Sequence, residues 1–226
     1  MTTLGLIGSG NIGSTVARLA VAAGYDVVLS NSRGPETLSD LVDGLGPKAR
    51  AATAVEAARV GDIVVVSVPL KSFRDVPAAP LAGKVVIDTG NYYPARDGRI
   101  AELDSGELTT TELVARHLSG ARVVKGFNNI YFRHLAELAR PAGEVDRSAI
   151  VIAGDDQDAK KSAAEFLDAI GYDTVDAGSL AESWRFEPGT PAYGPPYAGG
   201  ADNFMEVSGH PAGTDVLREA LAAARR

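Results

Sequence analysis

Short runs rich in β-branched residues alternate with alanine-rich stretches along most of the chain. Thr3–Gly8 and Asp26–Ser30 are predicted as the first two strands. Between them, Asn11–Ala23 carries apolar residues at helical spacing, and Gly24 follows as a helix stop. A buried strand followed directly by a helix and a second strand is typical of α/β proteins.

Further runs continue this alternation. Strands are predicted at Asp62–Val68, Lys84–Asp88 and Ala121–Lys125. Helices are predicted at Pro35–Val42, Thr53–Val60 and Thr109–Leu118. The run at 62–68 is apolar on both faces, as expected of a central parallel strand. Strand–helix–strand units with short connections require right-handed crossovers, so we predict an α/β fold with a doubly wound parallel sheet.

The alternation of predicted strands and helices is less regular after Lys125. Ser148–Ala153, Asp156–Ile170 and Tyr172–Asp176 predict one more strand–helix–strand unit, and Thr214–Ala224 predicts a terminal helix. Residues 187–200 contain four prolines and four glycines, which predicts a loop. We expect two domains, residues 1–144 and a small C-terminal domain of residues 145–226.

The composition of the chain argues against several classes of protein. The 226 residues carry a formal net charge of −7, which argues against generic binding to nucleic acid or to anionic membranes. The absence of cysteine excludes disulfides and thiolate zinc sites, and the three histidines lack metal-ligand spacing, so no metal is expected. No apolar run approaches the ~18 residues of a membrane span, and no signal peptide is apparent, so we expect a cytoplasmic protein.

The segment after the first predicted strand has the pattern G-x-G-x-x-G, formed by Gly8, Ser9, Gly10, Asn11, Ile12 and Gly13. In such loops the three glycines permit, in order, a tight turn, close approach to a pyrophosphate and close helix packing. The helix N-terminus offers free N–H groups to the anion. We predict a dinucleotide site here, with Val68 and Pro69 of a neighbouring strand end in contact. A glycine-rich turn without a ligand is the alternative.

The end of the second strand indicates which dinucleotide binds. An NAD site normally has an acidic residue about 20 residues after the glycines. This chain instead has Ser30, Asn31, Ser32 and Arg33, and no acid before Glu36. Hydroxyls, an amide and a guanidinium would bind a 2′-phosphate, which a carboxylate would repel. We therefore predict NADP(H), the alternative being a polar turn whose arginine points to solvent.

Polar residues also follow two later strands, where a doubly wound sheet binds ligands. Asn91 and Tyr92 come after the strand at 84–88, and Asn128 and Asn129 come after the strand at 121–125. Asparagine side chains can orient a ligand, and a tyrosine ring can form a wall beside a planar one. We predict that these four residues bind the substrate, while local turn chemistry is the alternative. No catalytic residue is assigned, and Lys125 is only a weak candidate for a proton donor.

Several of these segments together resemble the NADP oxidoreductases that depend on coenzyme F420, a deazaflavin. The resemblance covers most of residues 1–180, and the broader group includes the cytosolic domains of membrane ferrireductases. Its motifs are Gly8–Gly13, Ser30–Arg33, Asp88–Pro94, Lys125–Asn129, Gly154–Asp156 and Val175–Gly178. Two stretches depart from the archaeal members: 91–94 is bulkier, and 180–197 has no match.

The resemblance implies a Rossmann domain followed by a small C-terminal domain that completes the substrate pocket. It implies reversible hydride transfer between NADP(H) and coenzyme F420, with the deazaflavin against the loops after Asp88 and Lys125. We also expect a homodimer. Two alternatives stay open: an NADPH-dependent reductase of a small carbonyl or imine, which would need a positioned acid, and a non-catalytic NADP(H)-binding sensor.

Overall fold

The computed structural model describes residues 2–226. In this part of the chain, eight strands form one sheet in the order β3-β2-β1-β4-β5-β6-β7-β8. The strands are β1 (Thr3–Ile7), β2 (Asp26–Ser30), β3 (Ala49–Ala51), β4 (Ile63–Val66), β5 (Val85–Asp88), β6 (Arg122–Lys125), β7 (Ala149–Gly154) and β8 (Asp173–Asp176).

Helices connect the strands and cover both faces of the sheet. They are α1 (Asn11–Ala22), α2 (Ser39–Leu45), α3 (Ala54–Val60), α4 (Pro94–Asp97), α5 (Ala101–Asp104), α6 (Thr110–His117), α7 (Phe132–Glu137), α8 (Gln157–Ala169) and α9 (Thr214–Ala223). Short 3₁₀ helices occur at Pro35–Leu38, Leu70–Asp75, Ala79–Leu81, Leu180–Phe186 and Pro195–Ala198. The predicted α/β fold is confirmed.

Successive side chains along the strands belong to two different apolar layers, one on each face of the sheet. In β4, Val64 and Val66 join the layer that contains α3 and α6, whereas Val65 joins the layer that contains α1 and α8. All three valines are buried. A strand covered on both faces in this way occupies the middle of a parallel sheet, which agrees with the apolar run in the sequence.

The sheet differs from the predicted all-parallel arrangement at one pair of strands, β6 and β7. Strands β1 to β6 pair in parallel, but β7 runs antiparallel to β6, with Val124 opposite Gly154 and Lys125 opposite Ala153. Helix α7 has six residues and so spans only about 9 Å. It is the only helix between β6 and β7 in the described part of the chain, and β7 begins at the edge of the sheet where β6 ends.

Local signals in the sequence account for several helix boundaries. The Thr53 hydroxyl caps α3 by accepting a hydrogen bond from the Glu56 N–H, as the sequence predicted. Thr109 and Glu112 form a reciprocal capping box at the start of α6. The edge strand β3 was not predicted, because three residues alternating alanine with an exposed arginine carry no strand pattern.

The C-terminal strands continue the sheet of the N-terminal part. Strand β8 pairs in parallel with β7 through α8, which confirms the last predicted strand–helix–strand unit. The division into domains of residues 1–144 and 145–226 stays a prediction. Among residues 2–226, none of the helices has the length and apolar character needed to cross a membrane.

Candidate functional site

The loop between β1 and α1 has the geometry of a phosphate-binding turn. Gly8 has a φ of +101°, a conformation that favours glycine, and a Cβ there would collide with the Ser67 carbonyl oxygen. A Cβ at Gly13 would collide with the carbonyl oxygen of Gly8. These two glycines are therefore required by close backbone packing, independently of any ligand.

Gly10 is different, because a Cβ built on it meets nothing within 4 Å. It is the N-cap residue of α1, and no side chain caps this helix. The first N–H groups of a helix lack intrahelical partners and favour an anion. Open space in front of uncapped N–H groups fits a bound pyrophosphate, so the residues present can hold a dinucleotide.

A cavity of about 320 Å³ lies beside this loop, and we call it the phosphate-loop cavity. It brings together the ends of β1, β2 and β4. Its lining includes most of the residues predicted to bind the cofactor: Gly8, Ser9, Gly10, Ser30, Asn31, Ser32, Arg33, Val68 and Pro69. Asn11 and Ile12 lie on the neighbouring cavity described below, and Gly13 lies behind the loop.

The four residues predicted to bind the 2′-phosphate have different environments. Ser30 lines the cavity but is fully buried, and its hydroxyl already donates to the Leu6 carbonyl oxygen at 2.8 Å. Binding of the phosphate by Ser30 stays a prediction. Asn31 shapes the turn, since its Oδ1 accepts from the Arg33 N–H at 2.9 Å and its Nδ2 donates to Thr37 at 2.8 Å. Ser32 and Arg33 are exposed at the cavity.

A second cavity of about 520 Å³ adjoins the first, and the two share Gly10, Ser67, Val68 and Pro69 in their linings. We call it the aromatic cavity because six aromatic residues line it: Tyr93, Phe127, Tyr131, Phe132, Tyr193 and Phe204. The loops after β5 and β6 and the segment after β8 supply these residues, and the ends of β1 and β4 supply the wall shared with the first cavity. The sequence indicated the loops after β5 and β6, but it did not indicate Tyr193 and Phe204, which come from a distant segment of the chain.

The predicted asparagines line the aromatic cavity and also hold its loops together. The Asn91 Nδ2 donates to the Asn128 carbonyl oxygen at 2.8 Å, and the Asn128 Nδ2 donates to Asn91 Oδ1 at 3.1 Å and to the Phe186 carbonyl oxygen at 2.8 Å. The Asn129 Nδ2 donates to the Ala192 carbonyl oxygen at 2.9 Å. Substrate binding by Asn91, Asn128 and Asn129 stays a prediction.

The tyrosine predicted as a wall of the substrate site has another role. The Tyr92 hydroxyl donates to Asp104 at 2.9 Å and accepts from the Ile100 N–H at 3.0 Å, and Tyr92 does not line the aromatic cavity. Its neighbour Tyr93 takes that position. Side-chain direction in an irregular loop cannot be read from residue type, and substrate binding by Tyr92 stays a prediction.

A buried ionic cluster lies beneath the loop at Gly90. Lys125 is fully buried, and its Nζ donates to Glu187 Oε1 at 2.8 Å and to the Gly90 carbonyl oxygen at 3.2 Å. Asp88 lies opposite Lys125 in the sheet and accepts a hydrogen bond from the Thr111 hydroxyl at 2.7 Å. Lys125 does not line either cavity, which argues against it as a proton donor.

Burial and pairing move the two carboxyl groups of this cluster in opposite directions. Burial raises the pKa of the Asp88 carboxyl, despite its neighbour Lys125. Burial would also raise the pKa of the Glu187 carboxyl, but the Lys125 ammonium group holds that pKa below its ordinary value. The cluster fixes the Gly90 loop to the C-terminal segment and so sets one wall of the aromatic cavity.

Several other aromatic and histidine side chains of the chain are engaged in packing or in backbone hydrogen bonds. Phe186 is fully buried in the core, and Trp184 lies 5.5 Å from the Arg226 guanidinium, so neither lines the aromatic cavity. His117 and His134 each bond a backbone carbonyl oxygen, those of Val76 and Val207. Within residues 2–226, acidic and histidine side chains do not gather in threes around a possible metal position.

Comparison with known proteins places these features in a family. Residues 3–92 match the family described as NADP oxidoreductase, coenzyme F420-dependent. The chain is 28% identical to the F420-dependent NADP reductase of Methanothermobacter marburgensis over 199 residues, which is 81% of this chain and 87% of that protein. It is 29% identical to the metalloreductase STEAP3 of Rattus norvegicus over 187 residues, again 81% of this chain but 35% of that protein.

A solved structure resembles the chain over most of its length. A hypothetical protein from Sinorhizobium meliloti is 33% identical, with a TM-score of 0.74, over 85% of this chain and 93% of that one. Whereas this chain spans most of that protein and of the archaeal reductase, it spans about a third of the metalloreductase. The chain belongs to the coenzyme F420-dependent NADP oxidoreductase family, and it is an NADP-dependent oxidoreductase.

Proposed function

We propose that the protein transfers a hydride between NADP(H) and coenzyme F420, a deazaflavin. Sequence similarity to a protein named F420-dependent NADP reductase, over most of both chains, supports this substrate. The observation that carries the proposal is the contact between the two cavities, which share one wall at Gly10, Ser67, Val68 and Pro69.

Adjoining cavities of these kinds suit direct hydride transfer. The reaction needs two rings held face to face at close distance, and positioning supplies most of the catalytic effect. The phosphate-loop cavity has the uncapped helix end that a pyrophosphate needs, and the aromatic cavity has rings that can enclose a planar partner. A dinucleotide anchored in the first cavity can therefore extend to the boundary with the second.

The two halves of the dinucleotide site would bind different phosphate groups of NADP(H). The N–H groups at the start of α1 would bind the pyrophosphate in front of Gly10, and Ser32 with Arg33 would bind the 2′-phosphate. Val68 and Pro69 would form an apolar surface between the cavities. When bound, NADPH supplies the hydride, and the enclosing rings would limit the access of water to the transfer path.

The position of Lys125 favours this proposal over a carbonyl or imine reductase that would use Lys125 as its acid. Such a reductase must protonate the reduced atom, and Lys125 is buried in an ion pair instead of facing the cavity. Transfer between two ring systems does not require that proton from a strongly acidic side chain. A non-catalytic sensor would bind NADPH without using the second cavity at all.

The test is a set of single-turnover and steady-state assays with purified protein and NADPH. The acceptors are the oxidised deazaflavin, FMN, a ferric chelate and a cyclic imine, and the Gly10→Val variant is the control for background reduction. We expect NADPH oxidation with the deazaflavin and not with the other three. Oxidation only with the imine or the chelate would overturn the proposal, and tight NADPH binding without any turnover would establish the sensor.

A further inference from the structure

Two tyrosine hydroxyls meet in the wall of the aromatic cavity. The Tyr93 and Tyr193 hydroxyl oxygens are 2.5 Å apart, and both residues line the cavity. Tyr93 lies in the loop after β5, and Tyr193 lies in the irregular segment after β8. Both belong to the stretches in which the sequence departs from the archaeal members of the family.

Each ring is held in place by neighbours. The Arg96 guanidinium lies 4.7 Å from the centre of the Tyr93 ring and donates to the Asn91 carbonyl oxygen at 2.8 Å. The Phe204 ring packs edge-on against Tyr193, with ring centres 5.9 Å apart. These contacts fix the positions of both hydroxyl groups before any ligand arrives.

The two tyrosine hydroxyl groups have one proton more than the hydrogen bond between them uses. Two hydroxyl groups carry two protons, and the hydrogen bond between them uses one. Within residues 2–226, neither oxygen has a hydrogen bond to any other protein group. One proton is therefore free to be donated to a third group. Burial raises the pKa of the Tyr193 hydroxyl, which keeps this group a donor at neutral pH.

We infer that the Tyr93–Tyr193 pair donates one hydrogen bond to an acceptor on the second substrate, a carbonyl oxygen or ring nitrogen of a planar heterocycle, and so positions it. Either tyrosine can be the donor, because the hydrogen bond between them can run in either direction. Identifying this heterocycle as the deazaflavin rests on the proposed function. Both tyrosines are positioning residues and carry no chemistry themselves.

This role predicts an unusual pattern of substitution effects. Removing one hydroxyl leaves the other with a proton no longer shared, so it can still donate to the ligand. Removing both eliminates the donor. A pair that merely tied the β5 loop to the C-terminal segment would behave in the opposite way, because either single substitution would break the tie completely and the second would add nothing.

The experiment measures the Kd of the oxidised deazaflavin by its fluorescence, with NADP⁺ present so that no turnover occurs. The variants are Tyr93→Phe, Tyr193→Phe and the double variant, and Tyr25→Phe is a matched control at a tyrosine that lines neither cavity. We expect each single variant to bind within about 3-fold of the wild type and the double variant to bind about 10-fold more weakly, the scale of one neutral hydrogen bond. Tyr25→Phe should leave the Kd unchanged.

Two further readouts separate folding from binding. The double variant leaves no unpaired hydroxyl, so its fold should be retained, and the Kd for NADPH and the melting temperature check this. Single variants that each lose as much affinity as the double variant would overturn the inference, as would a double variant that binds like the wild type.

The inference and the proposed function can fail separately. If the deazaflavin binds with the expected pattern but is not reduced by NADPH, the proposed function fails and the inference stands. If the deazaflavin is reduced but its affinity does not follow the pattern, the inference fails alone. A wild-type protein that does not bind the deazaflavin overturns both.

Discussion

The phosphate-loop cavity and the aromatic cavity share a wall but are built in different ways. Backbone geometry defines much of the first: the turn at Gly8, the open space at Gly10 and the uncapped end of α1. Side chains from distant segments define the second, including Tyr93 and Tyr193. A short local motif is enough to specify the first cavity, whereas the second exists only when the C-terminal segment has packed against the sheet.

This difference implies that substitutions in the two regions should have different effects on ligand binding and on the stability of the fold. In the first region, a change can remove ligand binding and leave the fold intact, because the cavity is open space in front of the backbone. In the second, the cavity wall depends on buried contacts such as Lys125–Glu187, so the fold and the site should be damaged together.

The largest expected effect is at Gly10. A valine there meets no protein atom near its Cβ but occupies the space that a pyrophosphate needs. Gly10→Val should abolish detectable NADPH binding by calorimetry while the melting temperature without ligand changes by only a few degrees, as for surface changes generally (~0.5 kcal/mol). Gly44→Val, also in open space, is the control for the valine itself. A large drop in melting temperature for Gly10→Val would show that Gly10 is needed for folding.

The next largest effect is at the buried ion pair. Lys125→Met leaves Asp88 and Glu187 without their cation, and breaking a buried pair from one side costs about 3–5 kcal/mol. The free energy of unfolding in urea should fall by that amount. Lys161→Met, which removes an exposed lysine 3.9 Å from Glu165, should cost about 1 kcal/mol or less. Normal stability of Lys125→Met, combined with loss of activity, would restore the proton-donor hypothesis.

A smaller and more selective effect is expected at Arg33. A charge-assisted contact is worth about 1.5–3 kcal/mol, so Arg33→Ala should weaken NADPH binding by roughly 10–150-fold. NADH binding should hardly change, because NADH lacks the 2′-phosphate. Arg218→Ala, on the exposed side of α9, is the control for loss of a positive charge. Equal losses for both dinucleotides would mean that Arg33 supports the turn instead.

The smallest effect concerns pH. The pKa of Glu187 is lower in the folded protein than its ordinary value, so ionised Glu187 stabilises the fold above about pH 4 and this stabilisation is lost as the pH falls further. The raised pKa of Asp88 acts in the opposite sense, so the two must be separated. Urea unfolding between pH 5 and 3 should show a steeper loss of stability for the wild type than for Glu187→Gln. Parallel curves would contradict the assigned pairing.

The sequence predicts best what is determined locally. The α/β alternation, the Thr53 cap and the glycine loop all depend on neighbouring residues, and the structure agrees with them. The antiparallel pairing of β6 and β7 depends on the path of the chain between Lys125 and Ala149, for which the sequence carries no regular strand or helix pattern. The placement of Tyr93 instead of Tyr92 at the cavity depends on loop conformation, and that of Tyr193 depends on a segment whose path no local pattern determines.

The tyrosine pair also has a consequence for the order in which the protein acquires its sites. Tyr93 and Tyr193 are 100 residues apart, and Lys125 and Glu187 are 62 apart, so their contacts close long loops at a cost in chain entropy. The glycine loop, in contrast, forms between the first strand and the first helix. During synthesis from the N-terminus the chain holds its whole dinucleotide motif well before the segment carrying Tyr193 exists. We expect refolding experiments to recover NADPH binding before the deazaflavin site.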